Sequence, residues 1–234
     1  AGLERAPGKT FYWAGVYSQD LNDRTTLTTD LNVFADFNPK LPEPYRSTSH
    51  LFLGNIQPAL QARVRRQMPD ARLVGGDTMN LWIRETRAEL VETLREWHVL
   101  MVNDSEARML SGEHNLRRAA AKILDMGPPV LIIKRGEYGA ALFHRGGHFV
   151  APGYLLDTVL DPTGAGDSFA GGFMGYLAGC GAGPDDHAAL RQAVIYGQAL
   201  GSFCCEQFGV GRLAALTREE IDDRYRHFRA ATEF

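Results

Sequence analysis

The 234-residue sequence predicts an α/β fold with a mostly parallel central sheet that is covered by helices on both faces. Three observations support this prediction. After residue 50, short apolar segments of strand type alternate with amphipathic segments of helix type. Short connections rich in Gly, Asn and Asp separate these segments. Hydrophobic residues make up 44% of the chain, which is enough for a sizeable core. In such sheets ligands bind outside the carboxyl ends of the strands.

The first segment with a clear pattern is a hairpin. Side chains alternate from Phe11 to Tyr17, which predicts one strand, and the Thr-rich segment from Thr25 to Leu31 predicts another. The polar cluster Asn22-Asp23-Arg24 predicts the turn between them. We therefore expect residues 10–31 to form a β-hairpin that packs beside the main sheet.

The rest of the chain predicts repeated strand–helix units within one domain that spans residues 1–234. The predicted strands are His50–Asn55, Arg72–Asp77, His98–Asn103, Val130–Lys134 and a hairpin of Gly139–His144 with Gly147–Pro152. The predicted helices are Pro58–Met68, Leu81–Trp97, Asp104–Gly112, Asn115–Met126, Ser168–Ala178, Asp185–Cys205 and Thr217–Ala231.

Composition excludes several classes of function. The formal net charge of −3 gives no basic field for nucleic acid or an anionic membrane. No apolar run is long enough to span a bilayer, and no signal-peptide pattern is present. The cysteines and histidines show no metal-ligand spacing, and we expect Cys204 and Cys205 to pack in the core. These features indicate a soluble, reduced, cytoplasmic protein.

The string DPTGAGDSFAGGF, from Asp161 to Phe173, combines a glycine-rich turn with a carboxylate and a helix-like run. Glycines let backbone N–H groups converge on a phosphate, and a helix that starts there adds its positive dipole end. An acid at Asp167 suits proton removal from an attacking hydroxyl during phosphoryl transfer. The alternative is structural: Asp167 is a favourable first-turn acid, and the glycines permit tight packing.

This string resembles the carboxyl-proximal signature of the ribokinase-like (PfkB) carbohydrate and nucleoside kinases. The resemblance implies a ribokinase-like three-layer sandwich with a small β-hairpin lid, to which residues 10–31 would contribute. It also implies that Asp167 is the general base and that the N–H groups of Gly164, Ala165 and Gly166 form an anion hole. Asp161 and Thr163 match positions that help hold a monovalent cation such as K⁺ in many members.

A second motif lies at a strand-to-helix junction. Asn103-Asp-Ser-Glu106 resembles the family's Asn-x-x-Glu motif, in which the Glu organises Mg²⁺ and its waters around the nucleotide phosphates. The same spacing predicts a capping box, with Asn103 at the helix start and Glu106 completing it. We expect both roles, so that Asn103 contributes to nucleotide binding and Glu106 to the metal.

Further matches predict an ATP site. Lys134, Gly136 and Gly139 fit the family's Thr/Lys-x-Gly-x-x-Gly element, although glycines are equally expected in a hairpin turn. Gln198 falls near a position where relatives often carry Asn beside the adenine. Gly209 follows in the loop that closes this pocket.

Three polar residues are candidates for the acceptor-binding cleft. Asp77-Thr-Met-Asn80 resembles the Asp-x-Asn element of sugar kinases, with a spacing longer by one, and Asn55 ends another strand. For each of Asn55, Asp77 and Asn80 the alternative is a loop-capping role.

The sequence therefore predicts an ATP-dependent kinase for a sugar or nucleoside. The alternatives are an inactive nucleotide- or sugar-binding regulatory protein of the same fold, and a vitamin-type kinase for a hydroxymethylpyrimidine or pyridoxal. The resemblance lacks the family's amino-terminal strand, its Gly-Gly signature and part of the lid, so we expect those parts to be absent here. Family members often dimerise through the lid, and we expect the aromatic hairpin to allow a homodimer.

Overall fold

The structure is a computed structural model that describes residues 2–19, 21 and 24–233. Near its amino end, β1 (Tyr12–Tyr17) and β2 (Arg24–Asp30) pair antiparallel as a separate two-stranded sheet. The register shifts between Ala14 and Gly15. The predicted hairpin is thus present, whereas its predicted turn at Asn22 and Asp23 lies outside the described residues.

The central sheet has six strands in the order of the chain. β3 pairs with β4, β4 with β5 and β5 with β6 in parallel, and the last two strands add antiparallel pairs. This arrangement confirms the predicted mostly parallel sheet. The strands are β3 (His50–Leu53), β4 (Leu73–Asp77), β5 (Val99–Asn103), β6 (Val130–Lys134), β7 (Ala140–His144) and β8 (Gly147–Ala151).

Helices cover both faces of this sheet. One face packs against α3 to α6, and the other packs against α7 and α8, which confirms the predicted three-layer sandwich. The helices are α1 (Glu43–Arg46), α2 (Pro58–Arg66), α3 (Asn80–Glu85), α4 (Arg87–Leu94), α5 (Asp104–Ser111), α6 (Leu116–Leu124), α7 (Ala165–Cys180), α8 (His187–Cys204), α9 (Gly211–Ala214) and α10 (Arg218–Thr232). Short 3₁₀ turns lie at Asn32–Asp36 and Gly136–Tyr138.

Most predicted helices agree with the structure to within two residues at each end, but two differ by more. The predicted helix Leu81–Trp97 breaks at Thr86, whose φ of −132° and ψ of 37° are not helical. The Thr86 N–H and hydroxyl both donate to the Trp82 carbonyl, at 3.1 and 3.3 Å, and these bonds close the last turn of α3. The helix predicted from Ser168 begins three residues earlier, at Ala165.

Strand pleating decides which way the last residue of each parallel strand points. Alternate side chains of a strand face opposite sides of the sheet. Leu73, Val99 and Val130 all pack in the core on the α7 and α8 side. Four residues later on these strands stand Asp77, Asn103 and Lys134, so pleating directs all three toward the same side at the carboxyl edge.

Candidate active site

The amino end of α7 faces this carboxyl edge. We call residues 161–164 the phosphate loop. Gly164 ends the loop with a φ of 84°, a left-handed conformation that favours glycine, and α7 follows at once from Ala165. The Ser168 N–H closes the first turn by donating to the Gly164 carbonyl at 2.8 Å. The glycine therefore sets the direction in which the first N–H groups of the helix point.

The three amides predicted to form the anion hole differ in their bonding. The Ala165 N–H donates to the Pro162 carbonyl at 3.1 Å and stabilises the turn itself. The N–H groups of Gly164 and Gly166 have no acceptor among the residues that the structure describes. In this conformation the two glycine amides are thus the donors available to an anion at the start of α7.

Asp167 is the third residue of α7 and its side chain is exposed. The negative charge of Asp167 raises the pKa of Asp77, so the two carboxylates are close enough to interact electrostatically. The first-turn position also suits a carboxylate in the helix dipole. Both interpretations of Asp167 from the sequence are therefore compatible with its position.

Lys134 lies beside the phosphate loop. Its Nζ is 2.8 Å from the position that a Cβ atom on Gly166 would occupy. Because glycine has no such atom, the ammonium group can approach the backbone at the second residue of α7. The ammonium group of Lys134 and the partial positive charge at the amino end of α7 thus lie side by side.

Asp77 is a buried carboxylate at the end of β4. Only 6% of its surface is exposed, and its Oδ1 atom has no hydrogen-bond partner among the described residues. Burial raises the pKa of Asp77 from 3.8 to about 7; the charge of Lys134 opposes this shift, and the charges of Asp167 and Glu106 add to it. The structure thus groups these four side chains at the carboxyl edge. Thr78 Oγ1 and Asn80 Oδ1 are also buried, and neither has a partner in the part of the chain that the structure describes.

The predicted capping box is present at the start of α5. Asn103 Oδ1 accepts from the Glu106 N–H at 2.7 Å, and Glu106 Oε2 accepts from the Asn103 N–H at 2.8 Å. Glu106 is 7% exposed. The described residues contain no cluster of three or more His, Cys, Asp or Glu side chains that could hold a metal. The oxygens of Asp77, Thr78, Asn80 and Glu106 nevertheless belong to the ligand class that Mg²⁺ prefers, so their chemistry fits this ion.

Sequence reasoning missed Gln61, which holds the ends of β3 and β4. This side chain is 1% exposed, and its Nε2 donates to the carbonyls of Leu53, Gly54 and Asp77 at 3.0–3.2 Å. The sequence offered no clear signal for it, because polar residues are normal in an amphipathic helix such as α2. The three acceptors fix the backbone from which Asp77 projects.

Asn55, a predicted substrate-binding residue, makes local contacts. Its Nδ2 donates to Met79 Sδ at 3.1 Å, and its Oδ1 accepts from Trp82 Nε1 at 3.0 Å. These bonds join the β3 exit loop to α3. The structure therefore brings Asn55 next to the segment that carries Asn80, in a loop-fixing role.

The residues predicted for the nucleotide lie around the exits of β6 and β8. Gly136 and Gly139 have φ values of 55° and 87°, and a Cβ on Gly139 would overlap the Ala151 carbonyl oxygen. The hairpin turn therefore requires Gly139. Gln198 Nε2 donates to the Pro152 carbonyl at 3.1 Å, just after β8. Gly209, with a φ of 72°, lies between α8 and α9.

Strand β1 touches the phosphate loop through Tyr17, a residue that sequence reasoning also missed. The hydroxyls of Tyr17 and Thr163 lie 3.0 Å apart. Asp161 Oδ1 accepts from the Thr163 N–H at 2.9 Å, and the Cys204 thiol donates to the Thr163 carbonyl at 3.3 Å. Asp161, β1 and α8 thus all contribute to the position of Thr163.

The cysteines differ from each other in burial. Cys204 is 4% exposed, as the prediction of core packing requires, whereas Cys205 is only half-buried. Cys204 thus packs in the core and also donates a hydrogen bond to the Thr163 carbonyl.

Comparison with known proteins identifies the family. The model of the pfkB family carbohydrate kinases matches residues 14–216. The chain belongs to this family. It is 26% identical to a cytidine kinase of Thermococcus kodakarensis over 186 residues, which cover 76% of this chain and 66% of that protein. It is 31% identical to a probable fructokinase-5 of Arabidopsis thaliana over 115 residues, or 49% of this chain and 35% of the relative.

Solved structures of pfkB-type kinases share the fold. Aminoimidazole riboside kinase from Salmonella enterica, solved with aminoimidazole riboside and an ATP analogue, superposes with a TM-score of 0.65 at 26% identity. That match covers 79% of this chain and 64% of the other. Ribokinase from Thermotoga maritima gives a TM-score of 0.74 at 21% identity, covering 97% and 73% of the two chains. The chain thus spans about two thirds or less of the curated relatives quoted above.

The predicted resemblance to the ribokinase-like family is therefore confirmed, together with the fold that it implied. Of the helices that the structure describes, none is long and apolar enough to cross a membrane.

Proposed function

We propose that this chain carries the catalytic centre of an ATP-dependent kinase that phosphorylates a hydroxyl of a sugar or nucleoside. The observation that carries the proposal is the position of Asp167 in the first turn of α7, directly after two open glycine amides and beside Lys134. The relatives quoted above are named as kinases of sugars and nucleosides, which supports this substrate class.

Asp167 would act as the general base. Its exposed carboxylate accepts the proton as the acceptor oxygen forms a bond to the γ-phosphorus, and the bond from that phosphorus to the β,γ-bridging oxygen breaks to release ADP. The N–H groups of Gly164 and Gly166 hold the negative charge of the migrating group, and the Ala165 amide joins them only if its bond to Pro162 opens.

The carboxyl edge would hold the rest of the nucleotide and its metal. ATP would extend from Gln198 and Gly209, past Gly136 and Gly139, to Lys134. Mg²⁺, when bound, supplies charge neutralisation for the phosphates; Glu106 would position it through water, and Asn103 would contribute to nucleotide binding. Asp77, Asn80 and Asn55 line the neighbouring strand exits and would shape the acceptor side.

Two further proposals concern the phosphate loop and the lid. Carboxylate and carbonyl oxygens of Asp161 and Thr163 suit a monovalent cation such as K⁺, which would stiffen the loop. The lid exposes apolar side chains that a second copy could cover in a homodimer, namely Phe11, Tyr12, Val16, Leu27 and Leu31. We propose that residues 10–31 act as part of a lid on a single domain spanning residues 1–234.

A coupled assay of ADP release tests the proposed reaction. The protein is supplied with ATP, Mg²⁺ and a panel of sugars and nucleosides, and we expect at least one acceptor to stimulate ADP release above the rate with ATP alone. If nucleotide binds but no acceptor stimulates turnover, the alternative of a regulatory nucleotide-binding protein is favoured instead.

A further inference from the structure

We infer that Lys134 is a catalytic residue whose ammonium group contacts the migrating γ-phosphoryl group at the anion hole. The sequence alone placed this lysine only among the residues that line the nucleotide pocket. The inference rests on the proposed function, and it assigns the residue to the transferred group rather than to ADP.

The backbone fixes where this lysine points. Lys134 is the last residue of β6, and Val130 and Ile132, at the same pleat positions, pack in the core on the α7 side. The Cα–Cβ bond of Lys134 therefore points toward α7, the helix that carries Asp167. A side chain on β6 needs no loop movement to reach α7, so the ammonium is held by a rigid element.

The distance to Gly166 places the ammonium at the anion hole itself. Nζ lies 2.8 Å from the Cβ position of Gly166, whose N–H has no acceptor among the described residues. An oxygen that accepts from this amide would lie within reach of the ammonium as well. Amide and ammonium would then act on the same phosphoryl group, and glycine at position 166 leaves the room for both.

Lys134 supplies positive charge at a place where the neighbouring side chains are negative. Of the three charged side chains that act on Asp77, Asp167 and Glu106 are negative, and Lys134 alone is positive. A polyphosphate would be repelled by the carboxylates, so a cation must offset them where the phosphoryl group passes Asp167. Lys134 is the protein group in that position, and its charge becomes most favourable as negative charge develops on the transferred group.

The inference predicts a preference for triphosphate over diphosphate that depends on Lys134. Binding of β,γ-imido-ATP and of ADP, each with Mg²⁺, is measured by calorimetry for the wild type, Lys134→Met and Lys134→Gln. We expect ADP affinity to stay within about twofold and the affinity for β,γ-imido-ATP to fall about tenfold or more, because one charge-assisted contact is lost. Where an acceptor is known, we expect kcat to fall about 10²–10³-fold and KM for ATP to rise in line with the weaker binding of the triphosphate.

Matched controls separate this role from general effects of charge or folding. Lys122→Met makes the same chemical change on the outer side of α6, where Lys122 is exposed and pairs with Glu113, and should leave both affinities unchanged. Lys134→Arg keeps the positive charge and should retain part of the triphosphate preference. Thermal melting of each variant verifies that it is folded.

The possible outcomes decide between the inference and the underlying proposal. Equal losses of affinity for both nucleotides, or no loss for either, would show that Lys134 does not contact the transferred group and would overturn the inference. Failure of the wild-type protein to bind either nucleotide would overturn the proposed function, and the inference with it.

Discussion

The hydroxyl of Tyr17 lies 3.0 Å from Oγ1 of Thr163, so a hydrogen bond joins the lid to the phosphate loop. These residues stand 146 positions apart in the sequence. Thr163 directly precedes Gly164, whose left-handed backbone orients the first amides of α7. The lid therefore contacts the loop next to the residue that shapes the proposed anion hole.

Replacing Tyr17 by Phe should weaken this connection while keeping the ring. Loss of one exposed, neutral hydrogen bond is expected to lower kcat/KM for the acceptor by roughly two- to tenfold. Steady-state kinetics with the acceptor found by the panel measure this effect. Tyr12→Phe, on the same strand at an exposed position, is the control and should leave kcat/KM unchanged. Equal kinetics for Tyr17→Phe and the wild type would show that the bond does not contribute to turnover.

Replacing Asp167 by Asn should separate binding from chemistry. The amide cannot accept the proton of the acceptor hydroxyl, so we expect kcat to fall about 10²–10⁴-fold. Affinity for ATP should be retained, because the glycine amides and Lys134 remain. Turnover and calorimetric binding are measured together. Asp125→Asn, at the end of α6, provides the control. Turnover at the wild-type rate in Asp167→Asn would remove this residue from the mechanism.

The raised pKa of Asp77 predicts that its ionisation lowers stability. In the folded protein the pKa is about 7, above its ordinary value of 3.8, so the folded state holds a proton that the unfolded state releases. The stabilising contribution of this proton is full below about pH 4 and is lost as the pH rises through about 7. Asp77→Asn cannot ionise and should escape this loss.

Chemical denaturation in EDTA, without nucleotide, checks this prediction. Relative to the wild type, Asp77→Asn should become more stable as the buffer changes from about pH 5 to about pH 8, where the wild-type carboxylate is ionised and buried. Asp70→Asn, at an exposed position, should show no such trend. A stability difference between Asp77→Asn and the wild type that is independent of pH would contradict the assigned shift.

Replacing Gln61 by Ala should destabilise the fold. Three backbone carbonyls lose their shared donor in a buried place, and we expect the free energy of unfolding to fall by about 2–4 kcal/mol. Urea denaturation measures this loss. Gln57→Ala, at the exposed start of the same helix where the side chain makes no capping bond, should cost far less. Similar losses for the two variants would show that the three bonds contribute little.

Much of the fold and part of the site could be predicted because they follow from local pattern. The predicted ends of three parallel strands, at Asp77, Asn103 and Lys134, are those of the structure. Apolar runs define such strands, and a polar residue marks where each leaves the core. The capping box of Asn103 and Glu106 follows likewise from a spacing of three residues.

The remaining features depend on positions far apart in the chain. The contact of Tyr17 with Thr163, and of Gln61 with the ends of two strands, arises only when the sheet and the lid are assembled. The break at Thr86 lies in the non-helical φ and ψ of that residue, which a segment of otherwise suitable helical pattern does not reveal. Proximity of Lys134 to Gly166 needed the pleat of β6 and the position of α7 together.

Helix α8 reaches both ends of the proposed nucleotide site. Gln198 bonds the chain after β8, and Cys204, six residues later, bonds the phosphate loop. At 1.5 Å of rise per residue these anchor points are about 9 Å apart along a single helix. The distance between these two anchor points is thus set by the regular rise of one helix, so changes in the surrounding loops can alter which acceptor enters without changing that distance.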